Sequence, residues 1–430
     1  MSTRRRFIQQ TLSAGAAAAA LPLHTASASV GTPRAKSIIQ IWMWGGPSHL
    51  DTFDPKPEAG SDFCGQLKNP IETNVSGIQI GEQFPLMAKQ ADKYSIIRSM
   101  THGVFAHETA SYLAQTGREV DGKRVYPGIG SIISLAKGYD AGYTSSIPPY
   151  IVLTTSQGRF SKSGFLGTKY KPFITGGDPN RDPFLVEGFV VDGVDEARQN
   201  RRRELLKRFD TSAATGDAFS EQSDVAREQA YRLLTGGELD VFDLTQETEQ
   251  QREAYGRNWF GQSCLMARRL VEKGVPYICI NYPGWDTHKG HFQTIQRRHP
   301  ELDQGFSALL EDLSQRGLLD QTIVWWGGEF GRTPRIQWDA PWNGGRGHFA
   351  SCYSAVVAGG GFSGGHVVGQ SSRTGEEVAK RPVYPQDLLG SFCELMGIDP
   401  DGPLPGPVGQ GLPVMSPASE CGRLYEIMKG

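Results

Sequence analysis

Four short apolar runs mark the chain, and each gives way to a glycine-rich or polar loop carrying Asp, Glu or His. Residues 323–326 (Ile-Val-Trp-Trp) are β-branched and aromatic and too few for a helix, which predicts a buried strand. The run stops at Gly327-Gly328, and Glu329, Arg332 and, after a glycine-rich loop, His348 follow. Residues 275–281 form a second run that leads into Asp286-Thr287-His288. Residues 38–44 form a third, followed by Gly45-Gly46-Pro47-Ser48-His49-Leu50-Asp51. Residues 94–98 form a fourth, which runs on towards His102, His107, Glu108 and Thr109.

Between these runs the spacing is helical. Residues 107–118 predict a helix stopped at Gly117, and further helices are expected over 85–93, 128–138, 195–210, 221–234, 246–274 and 383–397. Leu302, Phe306, Leu309, Leu310 and Leu313 predict an amphipathic helix over 301–317. Strands are expected at 149–154 and 353–358, and a small hairpin near 71–80. Residues 159–183 lack any period, as lids and binding loops do. Strands alternating with helices predict an α/β domain, an α/β/α sandwich whose central sheet is mostly parallel. Residues 29–430 are expected to form one such domain, with a helical and loop insertion at about 159–258.

Length and composition fit this picture. The chain has 430 residues, 38% hydrophobic and 21% charged, as in an ordinary globular protein. A net charge of −2 gives no electrostatic case for nucleic acid or an anionic membrane. No apolar run approaches the roughly 20 residues that span a bilayer. Arg4-Arg5-Arg6-Phe7-Ile8, an Ala-rich apolar region and Ala26-Ser27-Ala28 follow the order of a twin-arginine export signal over residues 1–28. The expected location is periplasmic or extracellular. The six cysteines form no Cys-x-x-Cys pair, so a thiolate zinc site is not expected. Cys279 and Cys352 fall in or beside predicted strands and read as small core residues.

Ligands bind beyond the carboxyl ends of the strands in open parallel sheets. The residues expected there are Asp51, His107, Asp286, His288, Glu329 and His348. Carboxylates mixed with imidazoles suit one or two divalent ions, Zn, Mn, Fe or Ca, which clamp the oxygens of an in-line displacement. Asp286 and His288 are two apart, so in an extended loop both can face one way. The alternative reading of Asp51 is a helix N-cap or Asx-turn residue, and His49 reads as a partner of the site or an exposed loop residue. His291 rivals His288, His299 before Pro300 reads as surface, and His366 is an outside candidate. Thr109 near a helix N-terminus is placed to meet an anionic substrate, or is a plain first-turn residue. Arg332 could bind an ester oxyanion bidentately or pair with a loop carboxylate.

The order GGPSHLDTFDPKP, HETASYLAQTGR, GWDTH, TIVWWGGEFGRTP and GRGHF resembles the DUF1501 family, exported bacterial proteins related to sulfatases and the alkaline-phosphatase superfamily. The resemblance covers essentially the whole mature chain. It implies an alkaline-phosphatase/sulfatase-like fold with metal at the carboxyl edge of the sheet. Asp51 then matches the first metal-binding Asp, Asp286 and His288 a second ligand cluster, and His348 a late His. Glu329 stands where such proteins place an Asp, with Phe330 in place of the following His and Gly347 in place of an Asp. His107 takes the position of the modifiable Cys of sulfatases, so a formylglycine mechanism is not implied. The implied function is an exported metal-dependent hydrolase of phosphate or sulfate esters, acting on a small-molecule or glycan substrate, with Thr109 attacking or a metal-activated water. The alternative is a non-catalytic exported protein that binds sulfated or phosphorylated glycans.

Overall fold

A computed structural model describes residues 32–156, 162–182, 237–405 and 411–429, together with 184, 186, 232, 233 and 409. The twin-arginine signal expected over residues 1–28 lies outside the described residues. So does the helix expected over 195–210, and that over 221–234 apart from Arg232 and Leu233.

The four apolar runs become neighbouring or near-neighbouring strands of one eight-stranded sheet. Its members are β1 (Ser37–Trp42), β2 (Tyr94–Met100), β3 (Tyr150–Leu153), β4 (Phe173–Ile174), β5 (Tyr277–Asn281), β6 (Thr322–Gly327), β7 (Tyr353–Ala358) and β8 (Val367–Val368). The order is β8-β2-β7-β6-β1-β5-β3-β4. Only β7 runs against its neighbours, β2 and β6; β1 is parallel to β5 and β6. This is the mostly parallel α/β sheet that the alternating pattern predicts.

Pleating sends successive side chains to opposite faces, and both faces are buried. Ile39, Ile41, Ile278, Ile280, Val324 and Trp326 join the core under α3 (Trp259–Glu272) and α4 (His291–Gln315). Ile38, Trp42, Tyr277, Cys279, Ile323 and Trp325 join a second core. That core is capped by α1 (His107–Thr116), α2 (Ile129–Lys137) and α5 (Pro385–Leu395). Two-sided burial is why the strands read as continuous apolar runs rather than alternating ones. The hairpin near 71–80 is present as Ile71–Glu72 against Gln79–Ile80. No helix among the described residues is long and apolar enough to cross a membrane.

The largest departure from the sequence reading is α4. It starts at His291, ten residues early, and carries Pro300 inside it. Phe292, Ile295, His299, Leu302 and Phe306 hold one helix face, all buried. That run of threes and fours outweighs the one backbone hydrogen bond a proline removes. His299 is therefore not a surface residue. Its ring stacks on Trp285 at 5.8 Å and tilts over Phe84 at 4.7 Å, and Nδ1 meets Gln83 Oε1 at 2.8 Å.

Burial lowers the His299 pKa to about 3. The unfolded chain takes up this proton near pH 6.5, whereas the folded chain resists it down to about 3. Stability present above 6.5 is thus lost as pH falls through that window. His299→Phe is expected to shrink the loss in unfolding free energy between pH 7 and pH 5 by about 2 kcal/mol. Urea titrations at the two pH values check this; equal losses in both proteins would refute it.

Candidate metal centre

Register brings the loops together. Trp42 pairs with Asn281 on one side and with Gly327 on the other, so β1, β5 and β6 end level. β2 ends at the same edge, beside Tyr353 where antiparallel β7 begins. His348 lies just before β7, in a short ribbon with Arg332. The loops must approach closely there. A Cβ on Gly45, at φ +108°, would lie 2.2 Å from the Asp286 backbone N, so the turn after β1 admits only glycine.

Asp286 is the centre of the cluster. Its Oδ1 lies 3.1 Å from His288 Nε2, 3.3 Å from His348 Nε2 and 2.6 Å from Arg332 Nη2. Its Oδ2 lies 3.3 Å from His107 Nε2. The Nε2 atoms of His288 and His348 are 2.9 Å apart. Ligand atoms of His107, Asp286 and His348 all lie within 4.8 Å of one another. Glu329, fully buried, meets His107 Nδ1 at 2.6 Å and accepts the Gly45 N–H at 2.9 Å, both on Oε1. Phe105 O holds His348 Nδ1 at 2.8 Å. Each of these two rings is therefore fixed through Nδ1 and turns Nε2 inward, as outer partners orient metal-binding histidines. Trp44 stacks on His107, and Phe330 packs against both His107 and His348. Phe330 thus forms an apolar wall at the position where the resembled pattern carries a His.

The charges match the contacts. Burial opposes ionisation of Asp286, but its bond to His107 and the Arg332 guanidinium outweigh it and hold the carboxyl well below the usual range. Burial also works against a charged His107, yet Asp286 and Glu329 raise it to about 9. Burial lowers His288 despite the nearby Asp286 charge.

Among the described residues, one buried carboxylate oxygen of this cluster, Glu329 Oε2, has no hydrogen-bond partner. Buried polar atoms without partners are costly, and they mark where a further group belongs. With three imidazoles and two carboxylates in the cluster, the donor set fits a divalent cation.

Three expected site residues behave differently. Asp51 is not in the cluster. Its Oδ2 meets Arg346 Nε and His291 Nε2, each at 2.9 Å, and Oδ1 meets Arg346 Nη2 at 3.2 Å. A buried guanidinium thus neutralises the carboxylate that was expected to meet an ion. Thr109 sits two residues, or about 200° of helix, from His107 and faces away from it; its hydroxyl donates to Ala106 O. Arg332 is fully buried, with donors engaged by Gly45 O, Gly46 O, Arg346 O and Asp286. It orients Asp286 and is not free to grip a substrate oxyanion.

His291 is no rival to His288. It is buried at the start of α4 between Asp51 and Thr287 Oγ1, the latter at 2.6 Å. His49 is buried against Gly375 O and Phe349, and His366 is exposed just before β8. Arg346 was missed by the sequence reading. It also donates to Thr333 O, Pro334 O and Phe63 O, and its backbone N–H bonds Thr287 O. Asp51, Arg346 and His291 therefore converge on Thr287 and hold the loop carrying Asp286 and His288.

No curated protein matches the sequence. Among solved structures, a Pseudoalteromonas sulfatase shares 12% identity over 86% of this chain and 68% of that one, with a TM-score of 0.36. An alkaline-phosphatase-superfamily protein from Vibrio parahaemolyticus shares 10% over 86% and 67%, at 0.37. The periplasmic domain of EcEptC from Escherichia coli, solved with Zn, shares 8% over 87% and 85%, at 0.36. Residues 35–419 match the family described as "Protein of unknown function (DUF1501)". The chain belongs to the DUF1501 family.

Proposed function

We propose that the protein is an exported metal-dependent hydrolase of phosphate or sulfate esters. Its ion would be held by His107, Asp286, His288 and His348, with Glu329 beside them. The observation that carries this reading is the convergence of three imidazole Nε2 atoms on the Asp286 carboxylate, next to the unpartnered Glu329 Oε2. Three imidazoles favour Zn, Fe or Mn over Ca, which takes oxygen ligands. One ion rather than two follows from the occupation of Asp51 by Arg346.

When bound, such an ion supplies Lewis-acid polarisation of an ester oxygen and a water acidic enough to attack at neutral pH. The chain supplies position and desolvation. Arg332 engages one Asp286 oxygen and His107 the other, which fixes the carboxylate's orientation, and Glu329 fixes the His107 ring. Phe330 and Trp44 exclude water from the inner side.

The test is turnover of 4-nitrophenyl phosphate and 4-nitrophenyl sulfate by metal-loaded protein. Thr109→Ala is expected to keep kcat within about twofold, because the hydroxyl lies off the His107 face. A loss of a hundredfold or more would restore Thr109 as nucleophile. The non-catalytic binding reading is favoured by one observation: neither Thr109 nor Arg332 is placed to take part in chemistry. Saturable binding of both esters without turnover of either would establish it.

A further inference from the structure

Of the eight tryptophans, only Trp338 and Trp342 are exposed, at 47% and 37%, and they stand four residues apart in one loop. Large apolar side chains left in water beside a site mark a contact surface. Trp342 lies 6.1 Å from the His288 ring, at the rim of the cluster, and its carbonyl accepts the Gly290 N–H at the start of α4. Trp338 stacks parallel on Phe292, with centroids 5.9 Å apart and planes at 11°. Gly344 fills the space between this pair and the loop, and its neighbour Gly345 packs on the His288 carbonyl. Both indoles are thus set in place before any ligand arrives.

Beyond Phe292 the surface changes character. A cleft of about 200 Å³ is lined by Gln66, Leu67, Glu82, Gln83, Phe292, Ile295 and Gln296. Three amides and a carboxylate face it, and no Lys or Arg does. Glu82 is fixed by the Asn69 N–H and Gln83 by His299. Without cations this cleft is not an anion site. An amide offers both donor and acceptor, which is what a hydroxyl needs, since it too is both. An aliphatic chain would offer no partner to the Gln66 and Gln296 amides. The C–H face of a pyranose is apolar and presents slightly positive hydrogens, which suit the negative π face of an indole or phenyl ring.

We infer that Trp342, Trp338 and the Gln66–Gln83–Gln296 cleft form a subsite for uncharged sugar residues, continuous with the metal cluster. The ligand is a carbohydrate whose esterified end reaches His288 and whose neutral residues run over Trp338 into the cleft. Its link to an ester rests on the hydrolase reading above; the subsite itself does not.

The test uses the whole protein, metal-loaded and metal-stripped, with cello-, xylo-, laminari- and agaro-tetraose and a sulfated chondroitin tetrasaccharide as probes. Binding is read by calorimetry and by tryptophan emission. At least one tetrasaccharide should bind saturably with or without metal. Trp338→Ala and, independently, Gln296→Ala should each weaken it tenfold or more, with circular dichroism unchanged. No binding of any probe below about 10 mM, or full affinity in both variants, overturns the inference. Sugar binding without ester turnover would sink the hydrolase reading and keep the subsite. Ester turnover without sugar binding would do the reverse.

Discussion

Asp286→Ala is expected to abolish stoichiometric metal retention, with a loss of affinity of a hundredfold or more. Both oxygens of this carboxylate are engaged, one by His288, His348 and Arg332 and the other by His107. Removing it deletes a ligand and also leaves the buried Arg332, beside three imidazoles, without its ion-pair partner. The same cationic groups that Asp286 balances would then repel an incoming ion. His348→Ala deletes one ligand and leaves the carboxylate, so its loss should be smaller, about tenfold to a hundredfold. Competition with a chromogenic chelator orders the two variants. Equal affinities in wild type and Asp286→Ala would remove this residue from the site.

Asp51→Ala is expected to act on stability instead, costing about 3–5 kcal/mol. Arg346 is fully buried, and Asp51 is its one carboxylate partner among the described residues. Deleting one member of a buried pair strands the charge of the other, which costs more than the pair itself contributes. Burial alone would raise the Asp51 pKa, yet Arg346 and His291 hold it far below the carboxylate range. Replacing both partners, Asp51→Leu with Arg346→Met, should recover part of the loss. Urea unfolding measures all three proteins. A double variant no better than the single one would mean that the Arg346 bonds to Thr333, Pro334 and Phe63 matter more than the ion pair.

The sheet was legible because its strands are buried on both faces. Runs such as 323–326 carry β-branched and aromatic residues without interruption, and they map onto β6 with little slippage. The cluster was legible in part for the same reason: a carboxylate or imidazole placed directly after such a run must emerge at the carboxyl edge. That logic located His107, Asp286, His288, Glu329 and His348. It misplaced Asp51, which also follows a strand, because the outcome depends on Arg346, 295 positions away. No local pattern reports a partner so distant. Thr109 is a different case. The helix over 107–118 was recognised, and its phase already turned Thr109 away from His107. His299 likewise had a readable signal in the apolar spacing from Phe292 to Phe306, which continues through Pro300.

The central claim is a single metal ion at Asp286. Elemental analysis of the purified protein, at stoichiometric precision, tests it most directly. One equivalent of Zn, Fe or Mn per chain is predicted, retained through gel filtration and lost in Asp286→Ala. A chain that carries no such metal, and takes none up on reconstitution, would contradict it.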